Sequence, residues 1–333
     1  MGFEEVLEKN ARKHVGVAVG VRTNGETRTL GRGRIADDRP IPPAADTIFE
    51  IGSITKVFTA TLLADMTLEG LVSLDDPVQR YLPSGVELPV RGRRITLADL
   101  ATHTSGLPGL PKGMLRLALK ERHNPYVNFS VDDLHTAVAN ARLRRPPGKR
   151  IRYSNFGFGL LGHVLSLRAG QTYEQLVAER ILAPLGMTDT AITVPHDKGG
   201  RFAQGHNRRG RAVSNWDLPT LAGAGALRST VHDLLEFLAL QLDRGESRLA
   251  RAARMTHEPR MRKRAFSVGL GWFIHRVQRG QPHKAIWHDG GTGGFRSVAG
   301  FVKEAGTAVV VLSNSSRAVD SIGLKVLREV LYA

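Results

Sequence analysis

The sequence predicts an α+β fold: a mostly antiparallel sheet assembled from both ends of the chain, flanked by helices, with a helical second lobe between. Three observations point there. Residues 15–33 alternate apolar and polar side chains about Asn24-Gly25, a pair that closes two-residue hairpins. Residues 266–313 break into short apolar runs separated by turn residues, as successive strands do. The stretch between follows helical periodicity interrupted by Pro- and Gly-rich loops. Strands from the two termini bury their apolar faces by sharing one sheet, and the helical middle then forms a second body with a cleft beside it. The 333 residues suffice for one large domain. It is read as an α/β lobe of about 1–65 and 265–333 and a mainly helical lobe of about 66–264.

The elements follow in order. The polar N-terminal stretch MGFEEVLEKNARKH reads as a helix, and the hairpin succeeds it. Residues 53–69 form a helix with Phe58, Leu62 and Met66 on one face, stopped by Gly70. Further helices are expected over 131–140, 156–168, 173–182 and 231–242. Strands are expected over 266–277, 285–288, 297–302 and 308–313, with turns at Gly280 and Gly306, and an amphipathic helix over 319–331 closes the chain.

Composition removes several function classes. There is no cysteine, so disulfides, thiol catalysis and thiolate metal sites are excluded. The 12 histidines show no H-x-x-x-H or H-E-x-x-H spacing, and neither a metal nor a cofactor is implied. No apolar stretch reaches the ~18–20 residues of a membrane span, and the N-terminus lacks the apolar core of a signal peptide. A cytoplasmic protein is expected as the sequence stands, with a secreted or cell-envelope one as the alternative if a leader precedes it. The net charge is +16, with basic clusters at 91–94, 142–152, 208–211 and 260–264. They lack interleaved aromatics and match no helix-turn-helix or RNA-binding pattern, so they read as solvated surface and no nucleic-acid partner is expected.

Chemistry concentrates in three places. Ser53-Ile54-Thr55-Lys56 is an S-x-x-K at a helix start, which sets an ammonium one turn from a hydroxyl at the positive end of the helix dipole. Serine needs a nearby base, and a deprotonated lysine, or a phenolate held by that lysine, can serve. Tyr153-Ser154-Asn155 follows a turn at Pro146-Pro147-Gly148 and leads into the glycine-studded helix FGFGLLGHVL. There the phenol can shuttle protons while the amide orients lysine and substrate. Tyr126-Val127-Asn128 has the same form, but it lies in an irregular segment, so Tyr153 is preferred. Finally, His288-Asp289-Gly290-Gly291 ends a strand, where glycines let a substrate backbone lie alongside and an N–H of Gly291 can join that of Ser53 as an oxyanion hole. Gly157, Gly159 and Gly162 match a dinucleotide-loop spacing, but inside a helix, and are discounted.

The order S-x-x-K, Y-x-N, basic-x-Gly resembles the serine β-lactamase and penicillin-binding-protein superfamily, particularly its class C, D-stereospecific peptidase and family VIII esterase branches. DLATHTSGLPGL, SLDDPVQRYLP, ILAPLGMTDT and HDGGTGGFRS resemble that group too, so the likeness runs from about residue 13 to 328. It implies that Ser53 is acylated, that Lys56 and Tyr153 form a general-base pair, and that Asn155 positions the substrate. It further implies that His288 lines the far wall and that Gly291 and Ser53 form the oxyanion hole. Residues 103–106 look structural, shaping the cleft margin. Class C β-lactamases carry Lys-Thr-Gly where this chain has His288-Asp289-Gly290. A histidine is only partly charged near neutrality, and an aspartate facing the cleft repels a carboxylate. The expected activity is therefore ester or amide hydrolysis of esterase or D-peptidase type on a small-molecule or peptide acyl substrate. A true class C-type β-lactamase, an acyltransferase and a non-turnover penicillin-binding sensor are the alternatives.

Overall fold

The alternating stretches at the two termini meet in one sheet. The computed structural model describes residues 3–277 and 283–332. Strands β1 (Gly16–Thr23) and β2 (Glu26–Gly33) form the expected hairpin, with Asn24 and Gly25 both at positive φ, as a two-residue turn that matches strand twist requires. A short pair, β3 (Phe49–Glu50) and β4 (Arg228–Ser229), stands apart. The C-terminal strands are β5 (Met261–Arg262), β6 (Ser267–Val268), β7 (Phe273–Arg276), β8 (Lys284–Gly291), β9 (Arg296–Val302) and β10 (Thr307–Ser313). Among the described residues the main sheet has eight antiparallel strands in the order β2-β1-β10-β9-β8-β7-β6-β5, so β1 lies beside β10 and joins the two ends of the chain.

Helices cover both faces. On the outer face, Val17, Val19 and Val21 of β1 and Val309 and Val311 of β10 pack against two terminal helices. These are α1 (Phe3–Ala11), through Phe3 and Leu7, and, at the far end of the chain, Asp320–Tyr332, through Ile322 and Val326. Each such side chain, fully buried, contributes about 1.5–3 kcal/mol. Between them come α2 (Thr55–Leu68), α3 (Leu97–Ala101), α4 (Met114–Lys120), α5 (Val131–Ala139), α6 (Asn155–Ala169), α7 (Tyr173–Val177), α8 (Ala222–Gly225), α9 (Val231–Leu242) and α10 (Arg248–Thr256), and the terminal helix is α11. Ala18, Val310, Leu312 and Phe301 face inward and merge with α2, α6 and α9 in the larger core.

Several expectations shift. Helix α2 is preceded by a 3₁₀ turn, Gly52–Ile54, and is buried all round rather than on one face, because it lies at the centre of the molecule. Its polar side chains are satisfied internally: Thr59 donates to the Gly223 carbonyl, and Asp65 is held by Arg180 and Arg248. The strand expected over 266–277 is two strands, broken where Gly271 takes φ 73° close to the Lys56 carbonyl. The helix expected over 173–182 is α7 followed by a π-helical turn, Ala178–Leu182. Helix α9, grouped by the sequence with the helical lobe of 66–264, lies against β1, β9 and β10. The turn expected at Gly280 falls outside the described residues. No helix among the described residues is long and apolar enough to cross a membrane.

Candidate active site

Ser53 sits in the 3₁₀ turn at the mouth of α2, and its hydroxyl is not used to cap the helix. Lys56 Nζ lies 2.8 Å from Ser53 Oγ and donates to the Ala224 carbonyl at 2.6 Å. The carbonyl is there because α6 and α8 pack nearly backbone to backbone. A Cβ on Gly162 would sit 3.0 Å from Gly223 Cα, and one on Gly159 would sit 2.4 Å from Leu221. The glycines of FGFGLLGH thus bring an acceptor to Lys56. Lys56 is 0% exposed and makes no ion pair among the described residues. Desolvation pushes its pKa down to about 7, and the Asp289 charge opposes that only in part.

Tyr153 and Asn155 flank the start of α6. Ser154 caps the helix, accepting the Gly157 N–H at 2.8 Å and donating to the Pro108 carbonyl at 2.6 Å. This fixes Tyr153, whose hydroxyl is in hydrogen-bonding reach of Ser53 and whose ring centre is 4.9 Å from Lys56 Nζ. Burial of the hydroxyl, with the Asp289 charge, raises the phenol pKa well above its ordinary value, so Tyr153 is a neutral proton donor. Asn155 is turned toward the other tyrosine: its amide meets the Tyr126 hydroxyl, and its Oδ1 is buried without a partner. Both Y-x-N stretches therefore reach the cleft, but it is Tyr153 that stands over Ser53.

His103 belongs to the same cluster, although the sequence suggested only a structural margin there. It is one of two described non-glycine residues at positive φ, 59°. Its ring centre lies 4.5 Å from that of Tyr153, and its Nδ1 accepts the Ser154 N–H at 3.2 Å. That acceptor role places its proton on Nε2, which is buried and unpartnered. Burial and the nearby Lys56 hold its pKa well below 6.5. A histidine at positive φ is a signal no periodicity carries.

The facing wall is β8, which extends to Gly291, three residues past the expected strand end. Its neighbour β7 pairs with it only as far as Trp287, while β9 pairs through Gly291, so residues 288–291 offer one free edge. Gly290 must be glycine: a Cβ there would lie 2.1 Å from the Ile51 carbonyl oxygen and 2.3 Å from Ser297 Oγ. Similarly, a Cβ on Gly52 would meet the Gly291 nitrogen at 2.6 Å. These contacts seat the Ser53 turn directly on β8. His288 points inward, buried, with Nδ1 donating to the Asp289 carbonyl at 2.5 Å and Nε2 unpartnered. Its pKa falls to about 3 through burial and the Lys56 charge, so it is neutral at all ordinary pH values. Asp289 is cross-strand partner to Val298 on the opposite strand face, exposed, with Arg296 close by. Among the described residues no cluster of three or more His, Asp or Glu side chains could hold a metal ion.

Comparison with known proteins agrees with this layout. A family model described as Beta-lactamase matches residues 3–330. The D-alanyl-D-alanine-carboxypeptidase/endopeptidase AmpH of Escherichia coli is 32% identical over 307 residues, spanning 87% of this chain and 75% of that protein. A beta-lactamase of Pseudomonas fluorescens is 29% identical, covering 90% and 88%. The crystal structure of a class C beta lactamase from Rhodobacter sphaeroides superposes with a TM-score of 0.85 at 26% identity, over 99% of this chain and 98% of the other. With the family match running almost end to end and the fold shared over the same span, this protein belongs to the beta-lactamase family and is a serine hydrolase.

Proposed function

We propose that Ser53 is the acyl-accepting nucleophile of an ester or amide hydrolase of esterase or D-peptidase-like type. The observation that carries this is Lys56, a fully buried amine with no carboxylate partner, pushed down to about 7 and 2.8 Å from Ser53 Oγ. In its neutral form it donates to Ala224, which leaves its lone pair for the Ser53 proton. Ser53 attacks the carbonyl carbon, and the oxyanion is received by the N–H groups of Ser53 and Gly291. Tyr153, kept as a phenol, protonates the departing oxygen or nitrogen and recovers a proton from Lys56. Water then enters by the reverse sequence, releasing the acid and restoring Ser53. Asn155 orients substrate in this reading, and the free edge of β8 aligns it.

The substrate class rests on the β8 wall. His288 is neutral and Asp289 stands on the opposite strand face, so a carboxylate bound at this wall finds no cation in His288. This favours the esterase or D-peptidase-like reading over β-lactam turnover. The carboxypeptidase reading draws support from the 32% identity to AmpH, and Arg296 beside Asp289 supplies a cation for it. Short p-nitrophenyl esters, a D-alanyl-D-alanine peptide and a chromogenic cephalosporin, each given to wild type and Ser53→Ala, separate the readings. Ester turnover lost in Ser53→Ala, with a fluorophosphonate adduct on the wild type by intact mass, is expected. Unchanged ester turnover in Ser53→Ala refutes the assignment.

A further inference from the structure

Outside the cleft the most unusual feature is a cavity of about 630 Å³ lined by Arg91, Arg144, Arg145, Arg150 and Arg152. None of these five guanidinium groups forms an ion pair among the described residues, and Arg91 donates to the Leu143 carbonyl at 2.7 Å. Their neighbour Arg93 shows the contrast, since Asp99 neutralises it. Five like charges around one concavity repel each other, and no carboxylate pairs with them among the described residues. The loop that carries four of them is nonetheless held in place. Gly148 N–H donates to the Thr104 carbonyl at 2.9 Å and Arg152 N–H to the His103 carbonyl at 2.7 Å. The site is therefore built on fixed backbone.

We propose that this cavity binds a small ligand carrying two or more phosphate groups. Arginine is the side chain that meets phosphate with paired donors, and five of them match an anion of charge −3 to −4. No aromatic side chain lines the cavity, so a base has nothing to stack on, and the recognised part is the phosphate group rather than a nucleoside or a single-stranded nucleic acid. The loop passes directly into Tyr153, and its anchor at His103 is the residue whose ring lies against that tyrosine, 4.5 Å between ring centres. Occupancy is thus positioned to change the setting of Tyr153 over Ser53.

Tripolyphosphate is the probe, titrated by calorimetry at about 0.15 M salt, where unspecific attraction to a +16 protein is largely screened. One saturable site is expected, weakened about 30-fold or more in Arg144→Ala/Arg150→Ala, because two charge-assisted contacts are lost. The control is Arg209→Ala/Arg211→Ala, which removes the same charge from a distant basic loop and is expected to change affinity less than about threefold. Equal weakening in both double variants, or no saturable binding by the wild type, overturns the proposal. Duplex DNA that displaces the probe and still binds the Arg144→Ala/Arg150→Ala variant overturns it as well. Vesicles with anionic phospholipid distinguish the source. Competition with tripolyphosphate that vanishes in the Arg144→Ala/Arg150→Ala variant identifies a lipid headgroup as the ligand. Absence of competition identifies a soluble phosphate compound. Thermal unfolding of both variants verifies that they fold.

Discussion

Replacing Lys56 by methionine separates the cost of burying this amine from its use. In the unfolded chain a lysine keeps its proton up to pH 10.5, whereas folded Lys56 sheds it at about 7. Between those values the unfolded state binds more protons, so wild-type stability rises with pH by about 1.4 kcal/mol per pH unit. Going from pH 6 to pH 9 crosses two of those units in full, a gain of roughly 2.5 kcal/mol that Lys56→Met cannot show. Methionine leaves the Ala224 carbonyl without its donor and packs differently, but those costs are nearly the same at both pH values. Glu50, which burial pushes up to about 7, titrates in both proteins alike, and His288 titrates far below the window. Urea unfolding, followed by the fluorescence of the buried Trp272, measures both proteins at pH 6 and pH 9. The variant is expected to be favoured over the wild type by about 2.5 kcal/mol more at pH 6 than at pH 9. Parallel stabilities at the two pH values would show that Lys56 keeps an ordinary pKa, and its assignment as the base would fail.

The other outcomes follow from the same geometry. Wild-type kcat/KM for a neutral ester is expected to rise with pH through about 7, as Lys56 becomes neutral, and a profile flat from pH 5 to 9 contradicts this. Tyr153→Phe is expected to fold normally and to lose about 100-fold or more in kcat, read by stopped turnover of the same ester. Gly290→Ala drives a methyl group into the Ile51 carbonyl beneath the Ser53 turn, so a loss of about 3 kcal/mol in stability together with activity is expected by thermal melting and assay. His103→Asn keeps a residue that tolerates positive φ but removes the ring against Tyr153, and a kcat about tenfold lower with KM little changed is expected.

Much of this protein was legible in its sequence because the signals are local. Asn24-Gly25 announces a two-residue turn by its backbone freedom, the valines of residues 15–21 alternate with the strand period, residues 308–312 form a short apolar run, and Ser53 and Lys56 are one helical turn apart wherever that helix lies. The ordered motifs also carried the family, since each is a short run of residues with its own backbone demand. What the sequence left open depended on side chains brought together from afar. Helix α2 looks one-sided in its periodicity but is buried all round, because α6, α8 and α10 enclose it from regions far apart in the chain. Helix α10 offers little apolar area to read, because its buried face is built of small alanine side chains set among arginines. No spacing rule could have placed His103 on Tyr153, turned Asn155 toward Tyr126, or gathered Arg91 with residues 144–152 around one cavity. The sequence by itself determined the nucleophile turn and the strands that build its wall. The tertiary structure decided the chemistry of that turn, for only enclosure away from water, beside the Ala224 carbonyl, makes an ordinary lysine a base near neutral pH.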